Sequence, residues 1–340
     1  MSRTILVTAI GSFSAAVVVR KYKEEGFRVI GCDIYPAEWI ATSTEVDRFY
    51  QAPLAADSQK FGAFLEKVCR ENEVDYLIPL TDVEVDAVQE WRGQAASLGV
   101  ILCLSDKKTI RLCRNKWETE RFLAPKGICK TIPGQVLKEV IEKEADTGYE
   151  LLEYPLVLKP FQGRSSQGMM RIQDARQMRY AAKWHQQAAK NYLVQPEIPG
   201  TVVTVDVVRE PESGRIVTVS RRELLRTPNG AGTSVQVFFD ERLARQCEAI
   251  ATMLNIRGCV NFEFVEKVPG EWYFLECNPR FSGGVAFSCM AGYDMVKNHL
   301  YCFTGKELEP ARKIHSQYLV KRYQEYRTGE SQTDGERAKI

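Results

Sequence analysis

The sequence has few histidines, little net charge and no long apolar run, and each shortage excludes a class of function. Three histidines, His185, His299 and His315, are far apart in the 340 residues, so a histidine-based zinc site is not expected. The net charge of +2 gives no bulk attraction for nucleic acid or an acidic membrane. No apolar run is long enough to span a bilayer, and the N-terminus lacks the signal-peptide pattern. We therefore expect a cytoplasmic protein with small-molecule partners, and no nucleic acid or membrane.

The ten cysteines include no CxxC pair, and several lie in apolar segments, so we expect reduced core residues rather than a disulfide framework. A hydrophobic content of 44% and a charged content of 26% are typical of an ordinary globular protein with ample core. The length fits about two or three domains.

Residues 1–110 alternate between β-rich and helical patterns, which predicts a doubly wound α/β domain with a parallel sheet. The turn after the first strand, residues 11–16, lacks the GxGxxG spacing, which argues against an NAD-dependent oxidoreductase. Thr81, Asp82 and Glu84 follow a predicted strand, where ligands gather in such sheets. They are candidates for a substrate wall; the alternative is that Thr81 or Asp82 caps the next helix.

Two acidic residues lie in neighbouring apolar stretches, Glu263 in residues 259–264 and Glu276 in residues 272–280. Strand alternation puts Glu276 and Asn278 on one face. These oxygen ligands, with Arg280 beside them, suit Mg²⁺ that holds nucleotide phosphates. An edge hairpin with solvated acids is the alternative, but the surrounding Phe, Leu, Val and Trp disfavour it.

Lys159 lies in an apolar strand, where an ammonium is costly unless an anion compensates it. The loop that follows, from Gly163 to Gly168, contains Ser165 and Ser166 and offers backbone N–H groups and hydroxyls to phosphate oxygens. By itself such a loop is only a flexible turn, and its value comes from following Lys159. A further helix, over residues 111–123, carries Lys116.

Taken in order, these elements resemble the ATP-grasp superfamily, and most closely the ATP-binding halves of the carbamoyl-phosphate synthase large subunit and their stand-alone relatives. The elements are Lys116, Lys159-Pro160 with the Gly/Ser loop, Gln195 to Gly200, Glu263, and Glu276 to Arg280. The resemblance covers about residues 1–305. It implies a Rossmann-like pre-ATP-grasp domain at 1–110, a small lobe at 111–192, a large lobe at 193–324 and a loose tail at 325–340.

The resemblance also implies roles for individual residues. Lys159 would lie near adenine and the α-phosphate, Lys116 would hold the α- and β-phosphates, and the Gly163–Gly168 loop would close over the β- and γ-phosphates. Adenine would sit at a hinge formed by Gln195, Pro196, Glu197 and Ile198. The Pro196 carbonyl would accept a hydrogen bond from the exocyclic amine, and the Ile198 N–H would donate one to a ring nitrogen.

At the acidic end, Glu276 would bridge two Mg²⁺ or Mn²⁺ ions, with Glu263 and Asn278 completing the ligands. Arg280 would stabilise the transferred phosphoryl group. Arg222 and Arg226 fall where relatives place basic residues that face phosphate or substrate, and Arg221 would point to the opposite face. The alternative for Arg222 and Arg226 is that each is a solvated surface arginine.

One departure concerns the ribose. Two residues after Gly200, where relatives usually carry a Glu that binds the ribose hydroxyls, this chain has Val202, which cannot accept hydrogen bonds. Glu197 is a candidate substitute. The departure leaves open the nucleotide affinity and the preference between ATP and GTP.

The resulting hypothesis is an ATP-dependent carboxylate–amine ligase that acts through an acyl phosphate, releases ADP and phosphate, and forms a homodimer by analogy. One alternative is a synthase subunit that makes carboxy or carbamoyl phosphate from bicarbonate. The other is a nucleotide-binding module without turnover. The sequence does not name the carboxylate or the amine.

Overall fold

The computed structural model describes residues 3–163, 167–228, 230–311 and 313–329, so Ser165 and Ser166 lie outside the described residues. The chain divides into two compact units, which are treated separately below. Unit 1 comprises Met1–Cys103 and Arg322–Ile340, and unit 2 comprises Leu104–Lys321. In the part of the chain that is described, no helix has the length and apolar character needed to cross a membrane.

Unit 1 contains a five-stranded sheet of order β3-β2-β1-β4-β5, and every strand pair in it is parallel. Its strands are β1 (Thr4–Thr8), β2 (Arg28–Asp33), β3 (Arg48–Gln51), β4 (Tyr76–Ile78) and β5 (Ile101–Leu102). Its helices are α1 (Ala15–Glu24), α2 (Ser58–Asn72), α3 (Asp82–Glu90) and α4 (Arg92–Ser97). The strand order reverses beside β1, the topology that places ligands at the carboxyl ends of the strands in open α/β sheets.

The helices of unit 1 form because apolar residues recur at helical spacing. In α2, Phe61, Leu65 and Val68 are buried on one face, and Asp57 caps the helix by accepting from the Lys60 N–H. The pattern over residues 83–97 suggests one helix, but the structure has two, divided at Trp91. The Trp91 ψ angle of 3° ends α3, and its indole is buried.

Unit 2 begins with helices and then alternates between short and long strands. Its helices are α5 (Lys107–Arg114), α6 (Lys116–Leu123), α7 (Leu137–Glu144), α8 (Ala175–Trp184), α9 (Glu241–Met253), α10 (Val285–Met290) and α11 (Met295–Thr304). Its strands are β6 (Lys130–Thr131), β7 (Gln135–Val136), β8 (Leu156–Pro160), β9 (Met170–Ile172), β10 (Tyr192–Pro196), β11 (Thr201–Arg209), β12 (Ile216–Arg226), β13 (Gly232–Phe238), β14 (Gly258–Val268), β15 (Glu271–Asn278) and β16 (Gln317–Val320).

These strands form two sheets. The small sheet has four antiparallel strands in the order β7-β10-β8-β9, and α7 and α8 pack on it around Leu158, Met178 and Val194. The large sheet has seven strands in the order β16-β13-β12-β11-β14-β15-β6, of which only the β15–β6 pair is parallel. The prediction of a mixed α/β fold with several sheets is confirmed.

The two faces of the large sheet differ in chemistry. One face carries Val203, Val205 and Phe264, which are buried against α9 in an apolar core. Because side chains alternate along a strand, the other face carries Thr204 and Glu263. This second face positions the polar residues described next.

Candidate functional site

The two acidic residues on the polar face are direct neighbours across a strand pair. Glu263 of β14 pairs with Glu276 of β15, and Asn261 pairs with Asn278. Directly paired residues have side chains on the same side of a sheet. Asn278 Nδ2 donates to Glu276 Oε1 at 3.1 Å and to Asn261 Oδ1 at 3.3 Å, which fixes the amide and leaves its oxygen turned from those partners.

A bulge lies next to this acid pair. The register shifts between Glu263 and Phe264, so that Phe264 pairs with Phe274 and Leu275 is the extra residue. Phe264 and Phe274 meet edge to face with centroids 5.5 Å apart on the core side. The bulge therefore lets an apolar pair remain in the core while both carboxylates face the other way.

Each carboxylate has a cationic partner. Lys116 Nζ lies 3.0 Å from Glu276 Oε2, and Arg226 Nη2 lies 3.3 Å from Glu263 Oε2. The carboxylate side chains are 24% and 20% exposed, so the ion pairs are partly shielded from water. A metal ion that bound here would have to displace or rearrange both cations.

The two carboxyl groups differ in protonation. Burial raises the pKa of Glu276, but the charge and hydrogen bond of Lys116 outweigh it and lower the pKa to about 2. Burial and the Glu276 charge raise the pKa of Glu263 to about 7. Glu276 is thus the permanently ionised member of the pair, and a cation between them would favour ionisation of both.

Two lysines approach this pair from the other elements of unit 2. Asn115 caps α6 by accepting from two backbone N–H groups, and the Lys116 N–H donates to the Phe161 carbonyl at 2.9 Å, which ties α6 to the end of β8. Lys159 lies on β8. Burial lowers its pKa to about 8, against the opposing charge of Glu276. The structure therefore brings Lys116 and Lys159 together with the two carboxylates.

A side chain would be crowded at either described end of the glycine loop. A Cβ on Gly163 would lie 3.0 Å from Pro160 Cγ, and one on Gly168 would lie 3.0 Å from the Tyr192 hydroxyl. Gly168 also has a φ of +74°, which other residues rarely adopt. These two ends of the loop thus lie close to β8 and β10.

The predicted hinge lies where β10 ends. Gln195 is buried, and its Nε2 donates to the Ile132 carbonyl, so this side chain braces the hinge rather than facing a ligand. Pro196 pairs with Leu156 at the end of β10, and Ile198 follows it, partly buried. Backbone groups of Pro196 and Ile198 are therefore the hinge's candidate ligand contacts.

Glu197 and Val202 are the two positions that bear on ribose contact. Glu197 forms an ion pair with Arg171 of β9, so its carboxylate is already engaged. Val202 pairs with Val265 and, two residues from Thr204, faces the polar side of the large sheet. A ribose contact from Glu197 would therefore require this ion pair to rearrange.

The faces expected for Arg221 and Arg222 are reversed. Arg221 pairs with Thr204, which pairs with Glu263, so Arg221 is on the acidic face. Arg222 pairs with Val203 and is on the core face. Alternation places neighbouring residues on opposite faces, but only the register decides which residue takes which face.

The surroundings of Arg222 agree with this correction. Its Nε and Nη2 donate to the Glu266 carboxylate at 2.5 and 2.9 Å, and its guanidinium lies 3.8 Å from the centre of the Phe238 ring. Arg222 therefore supports the strand pairing and is not positioned to face phosphate.

Arg226 does reach the acidic face. The register shifts twice, between Glu223 and Leu225 and between Leu225 and Arg226, and Arg226 then lies on the side of Glu263. Arg226 Nε also donates to the Gly230 carbonyl at 2.9 Å, which holds the side chain along the hairpin.

Arg280 lies at the end of β15 as expected. Its backbone N–H donates to the Asn278 carbonyl at 2.8 Å, and its Nη1 donates to the Phe281 carbonyl at 3.0 Å. Its Nη2 lies 3.5 Å from Asn278 Oδ1. The guanidinium is therefore adjacent to the candidate metal ligands.

The acidic face also holds a buried group that the sequence argument missed. Arg221 and Asp206 are both fully buried and form an ion pair at 2.5 Å, with Ser282 and Ser288 hydrogen bonded to the same guanidinium. A signal was available, because Asp206 interrupts the valines of β11 two residues after Thr204.

The donor chemistry of the site fits an ion that prefers oxygen ligands, such as Mg²⁺ or Mn²⁺, rather than zinc. Within the described ranges, no group of three or more His, Cys, Asp or Glu side chains is arranged to hold a metal ion. Glu263, Glu276 and Asn278 offer oxygen only, and Mg²⁺ is usually held by one or two carboxylates together with substrate phosphates. The set is suited to a metal–nucleotide complex.

In unit 1, the residues after β4 form a buried cluster. Thr81 Oγ1 donates to Glu84 Oε2 at 2.9 Å, and Asp82 and Glu84 are buried. Burial raises the pKa of Glu84 to about 7. Thr81 stands at the N-cap position of α3, but its hydroxyl is bonded to Glu84 and not to a backbone N–H.

Comparison with known proteins finds a family model over the part of the chain that carries both acidic strands. The family model described as "ATP-grasp in the biosynthetic pathway with Ter operon" matches residues 188–326, which include both acidic strands. The chain is 24% identical over 291 residues to the arginine-specific large chain of carbamoyl phosphate synthase from Bacillus subtilis, covering 81% of this chain and 28% of that one. It is 25% identical over 237 residues to the mitochondrial propionyl-CoA carboxylase alpha chain of Sus scrofa, covering 65% and 32%. The chain spans about a third of the length of these relatives.

Solved structures share the fold. The biotin carboxylase domain dimer of Hydrogenobacter thermophilus 2-oxoglutarate carboxylase, in complex with Mg-ADP, ADP and bicarbonate, superposes with a TM-score of 0.77 at 18% identity, covering 94% of this chain and 73% of that one. The L-amino acid ligase of Bacillus licheniformis superposes with a TM-score of 0.68 at 18% identity, covering 89% and 74%.

The family match over residues 188–326 and the fold shared with these solved structures confirm the resemblance to ATP-grasp proteins that the sequence predicts. The chain is also similar in sequence to part of the carbamoyl phosphate synthase large chain.

Proposed function

We propose that the chain is an ATP-dependent carboxylate–amine ligase. A carboxylate oxygen attacks the γ-phosphorus of Mg-ATP, and the bond to the β,γ-bridging oxygen breaks to give an acyl phosphate and ADP. The amine nitrogen then attacks the acyl carbon, and phosphate and a proton leave. The observation that carries this proposal is the set of Lys116, Glu263, Glu276 and Asn278 around one strand pair, with Lys159 facing it.

The proposal gives the two lysines the phosphates. Lys159 would contact the α-phosphate, and Lys116 would leave Glu276 to hold the α- and β-phosphates. Mg²⁺ or Mn²⁺, in two ions held by Glu263, Glu276 and Asn278, would neutralise the charge between nucleotide and carboxylate. Arg280, beside Asn278, would stabilise the transferred phosphoryl group.

Adenine would lie at the hinge, where Pro196 offers a carbonyl and Ile198 an N–H. The loop between Gly163 and Gly168 would close over the β- and γ-phosphates and exclude water from the acyl phosphate. Arg226, turned towards Glu263, would contact substrate or phosphate once the nucleotide is bound.

Unit 1 would be the Rossmann-like pre-ATP-grasp domain. Its five-stranded parallel sheet supports this assignment, and Thr81, Asp82 and Glu84 at the end of β4 would contribute to substrate binding. The small lobe at 111–192 and the large lobe at 193–324 would hold the nucleotide. A homodimer is the assembly that we propose, since the 2-oxoglutarate carboxylase domain is described as a dimer.

A second candidate is the formation of carboxy phosphate from bicarbonate, or of carbamoyl phosphate from carbamate, with release of ADP. It is favoured by the relationship to a carbamoyl phosphate synthase chain and by the similarity to a domain bound to bicarbonate. The similarity to an amino acid ligase favours the first candidate. The two differ only in which carboxylate takes the phosphoryl group.

The test is ADP release from Mg-ATP across amino acids, small carboxylates and bicarbonate, each with and without an amine. Glu276→Ala is the blank. Glu271→Gln is the matched control, because Glu271 lies on the same strand but pairs with the exposed Lys130. Release that needs one carboxylate and rises with one amine supports the ligase, and release with bicarbonate alone supports the second candidate. Mg-ATP binding without release from any substrate would contradict both and leave a nucleotide-binding module.

A further inference from the structure

Arg221 is an arginine with no exposure to solvent inside a polar cluster on the acidic face. Its Nη1 donates to Asp206 Oδ2 at 2.5 Å and to Ser288 Oγ at 2.5 Å, and its Nη2 donates to Ser282 Oγ at 3.1 Å. Its Nε lies 3.8 Å from Glu223 Oε1. Burying a guanidinium costs stability unless it is paired and hydrogen bonded, and these side chains supply that pairing.

The partners of Arg221 belong to two different parts of the chain. Asp206 and Glu223 lie on β11 and β12, which are fixed by the sheet. Ser282 and Ser288 lie in the segment that leaves β15, which we call the Arg280 segment and define as residues 279–288. The Arg221 side chain thus links the sheet directly to the Arg280 segment through hydrogen bonds.

Other contacts hold the same segment closely against Arg221. Ser282 Oγ accepts from the Gly284 N–H at 3.2 Å, and Lys321 Nζ donates to the Gly283 carbonyl at 2.8 Å. A Cβ on Gly284 would lie 3.2 Å from Arg221 Nη2, so a small residue lets the backbone approach the guanidinium. The turn at residues 282–284 is therefore held by two cations, Arg221 at Ser282 and Lys321 at Gly283.

The Arg280 segment begins beside the candidate metal ligands. Arg280 Nη2 lies 3.5 Å from Asn278 Oδ1, and its Nη1 donates to the Phe281 carbonyl, whose residue is buried next to Ser282. A shift of the turn at Ser282 would therefore move the Arg280 guanidinium relative to Asn278.

We propose that Arg221 is a positioning residue for phosphoryl transfer: it holds the Arg280 segment on the sheet so that the Arg280 guanidinium stays beside Asn278. This proposal rests on the proposed function for its catalytic consequence, whereas the holding of the segment is independent of it.

The holding of the segment is tested by hydrogen exchange of peptides that cover residues 279–290. Ser282→Ala removes the Ser282 Oγ bonds to Arg221 and to the Gly284 N–H and keeps the buried ion pair, so it folds even if Arg221→Lys does not. Ser288→Ala removes a bond to Arg221 and leaves the Gly284 bond in place, so it separates the two losses. We expect exchange in this segment to rise about fivefold or more, with β14 unchanged. Thr252→Ala is the control, since it removes a side-chain hydrogen bond elsewhere in unit 2, which Thr252 Oγ1 donates to the Glu248 carbonyl at 2.8 Å on α9. Unchanged exchange in Ser282→Ala and Arg221→Lys would overturn the proposal.

The catalytic consequence is tested by a double-mutant cycle on ADP formation. We expect Ser282→Ala to lower kcat about tenfold while the KM for ATP changes less than about twofold, because a misplaced catalytic group costs rate rather than binding. In an Arg280→Ala background the same change should cost less than about twofold, because the group that it positions is gone.

Equal losses in both backgrounds would show a general loss of structure and overturn the positioning role. If the wild-type chain binds Mg-ATP but forms no ADP with any substrate, the proposed function fails, and a rise in exchange would then show a purely structural bond.

Discussion

Lys159 is an ammonium within an apolar strand, and its environment makes its charge sensitive to pH. Burial lowers its pKa to about 8, whereas an exposed lysine titrates near pH 10.4. The free protein therefore holds Lys159 protonated below about pH 8 and loses that charge above it. A residue that contacts phosphate only when charged should make nucleotide binding depend on pH in this range.

We predict that the affinity for Mg-ADP falls as the pH rises above about 8, because binding must then take up one proton. The fall should approach about tenfold in Kd for each further pH unit. Calorimetric titrations from about pH 7 to about pH 9.5 measure this effect. Lys159→Arg keeps its charge over the range and should lose the dependence. A wild-type affinity that does not change with pH would contradict the placement of Lys159 at the phosphates.

Val202 offers a second prediction at the same scale. It faces the polar side of the large sheet opposite Val265, so a glutamate there would present two acceptors where the ribose is proposed to lie. Val202→Glu should tighten the binding of ADP more than that of 2′-deoxy-ADP. The two gains in binding free energy should differ by about 1 kcal/mol, the contribution of one hydrogen bond. Equal effects on the two nucleotides, measured by calorimetry, would refute the ribose assignment.

Residue type and alternation were enough to predict part of the site. They placed Glu276 and Asn278 on one face, and the apolar surroundings singled out Lys159. They did not decide between Arg221 and Arg222, because the absolute face depends on a register that is set by the neighbouring strands.

At the scale of elements, bulges are what the sequence did not show. Register shifts on both sides of Leu225 precede Arg226, which faces Glu263, and a bulge lies directly after the pair of Glu263 and Glu276. Gly232 lies opposite Arg226, but no glycine or proline marks the bulge beside Glu263. The short strands β3 and β16 were also missed, since four residues at the edge of a sheet give too little alternation to detect.

Gly200 is the element-scale position that a substitution tests most clearly. It connects β10 to β11, and a Cβ there would lie 2.3 Å from the Glu266 carbonyl oxygen, which is backbone and cannot move aside. Gly200→Ala should therefore destabilise the protein by about 1–3 kcal/mol, the usual cost of overpacking. Thermal unfolding measures the loss.

Gly93→Ala is the matched control, because Gly93 lies in helix α4 and a Cβ there meets nothing within 4 Å. It should raise stability by about 0.5–1 kcal/mol. Equal stability of Gly200→Ala and the wild type would mean that β11 and β14 do not approach as closely as described.

At the scale of the whole molecule, the order of the motifs predicted more than any motif alone. The mixed α/β fold and the ATP-grasp resemblance are confirmed, and the family match covers the strands that carry both acids. The division of the chain was harder to predict, because residues from Arg322 onwards belong to unit 1. Thr328 donates to the Glu38 carbonyl, a contact across 290 residues that no local pattern reveals.

The central claim is that the carboxylates of β14 and β15 bind a metal–nucleotide complex. It is tested most directly by calorimetric titration of Mg-ADP into the wild type, Glu276→Gln and the matched control Glu271→Gln. We predict that the wild type and Glu271→Gln bind alike and that Glu276→Gln binds about 100-fold more weakly, a loss of about 2.7 kcal/mol. Glu276→Gln that binds Mg-ADP as tightly as the wild type, or a wild type that does not bind it, would contradict the account.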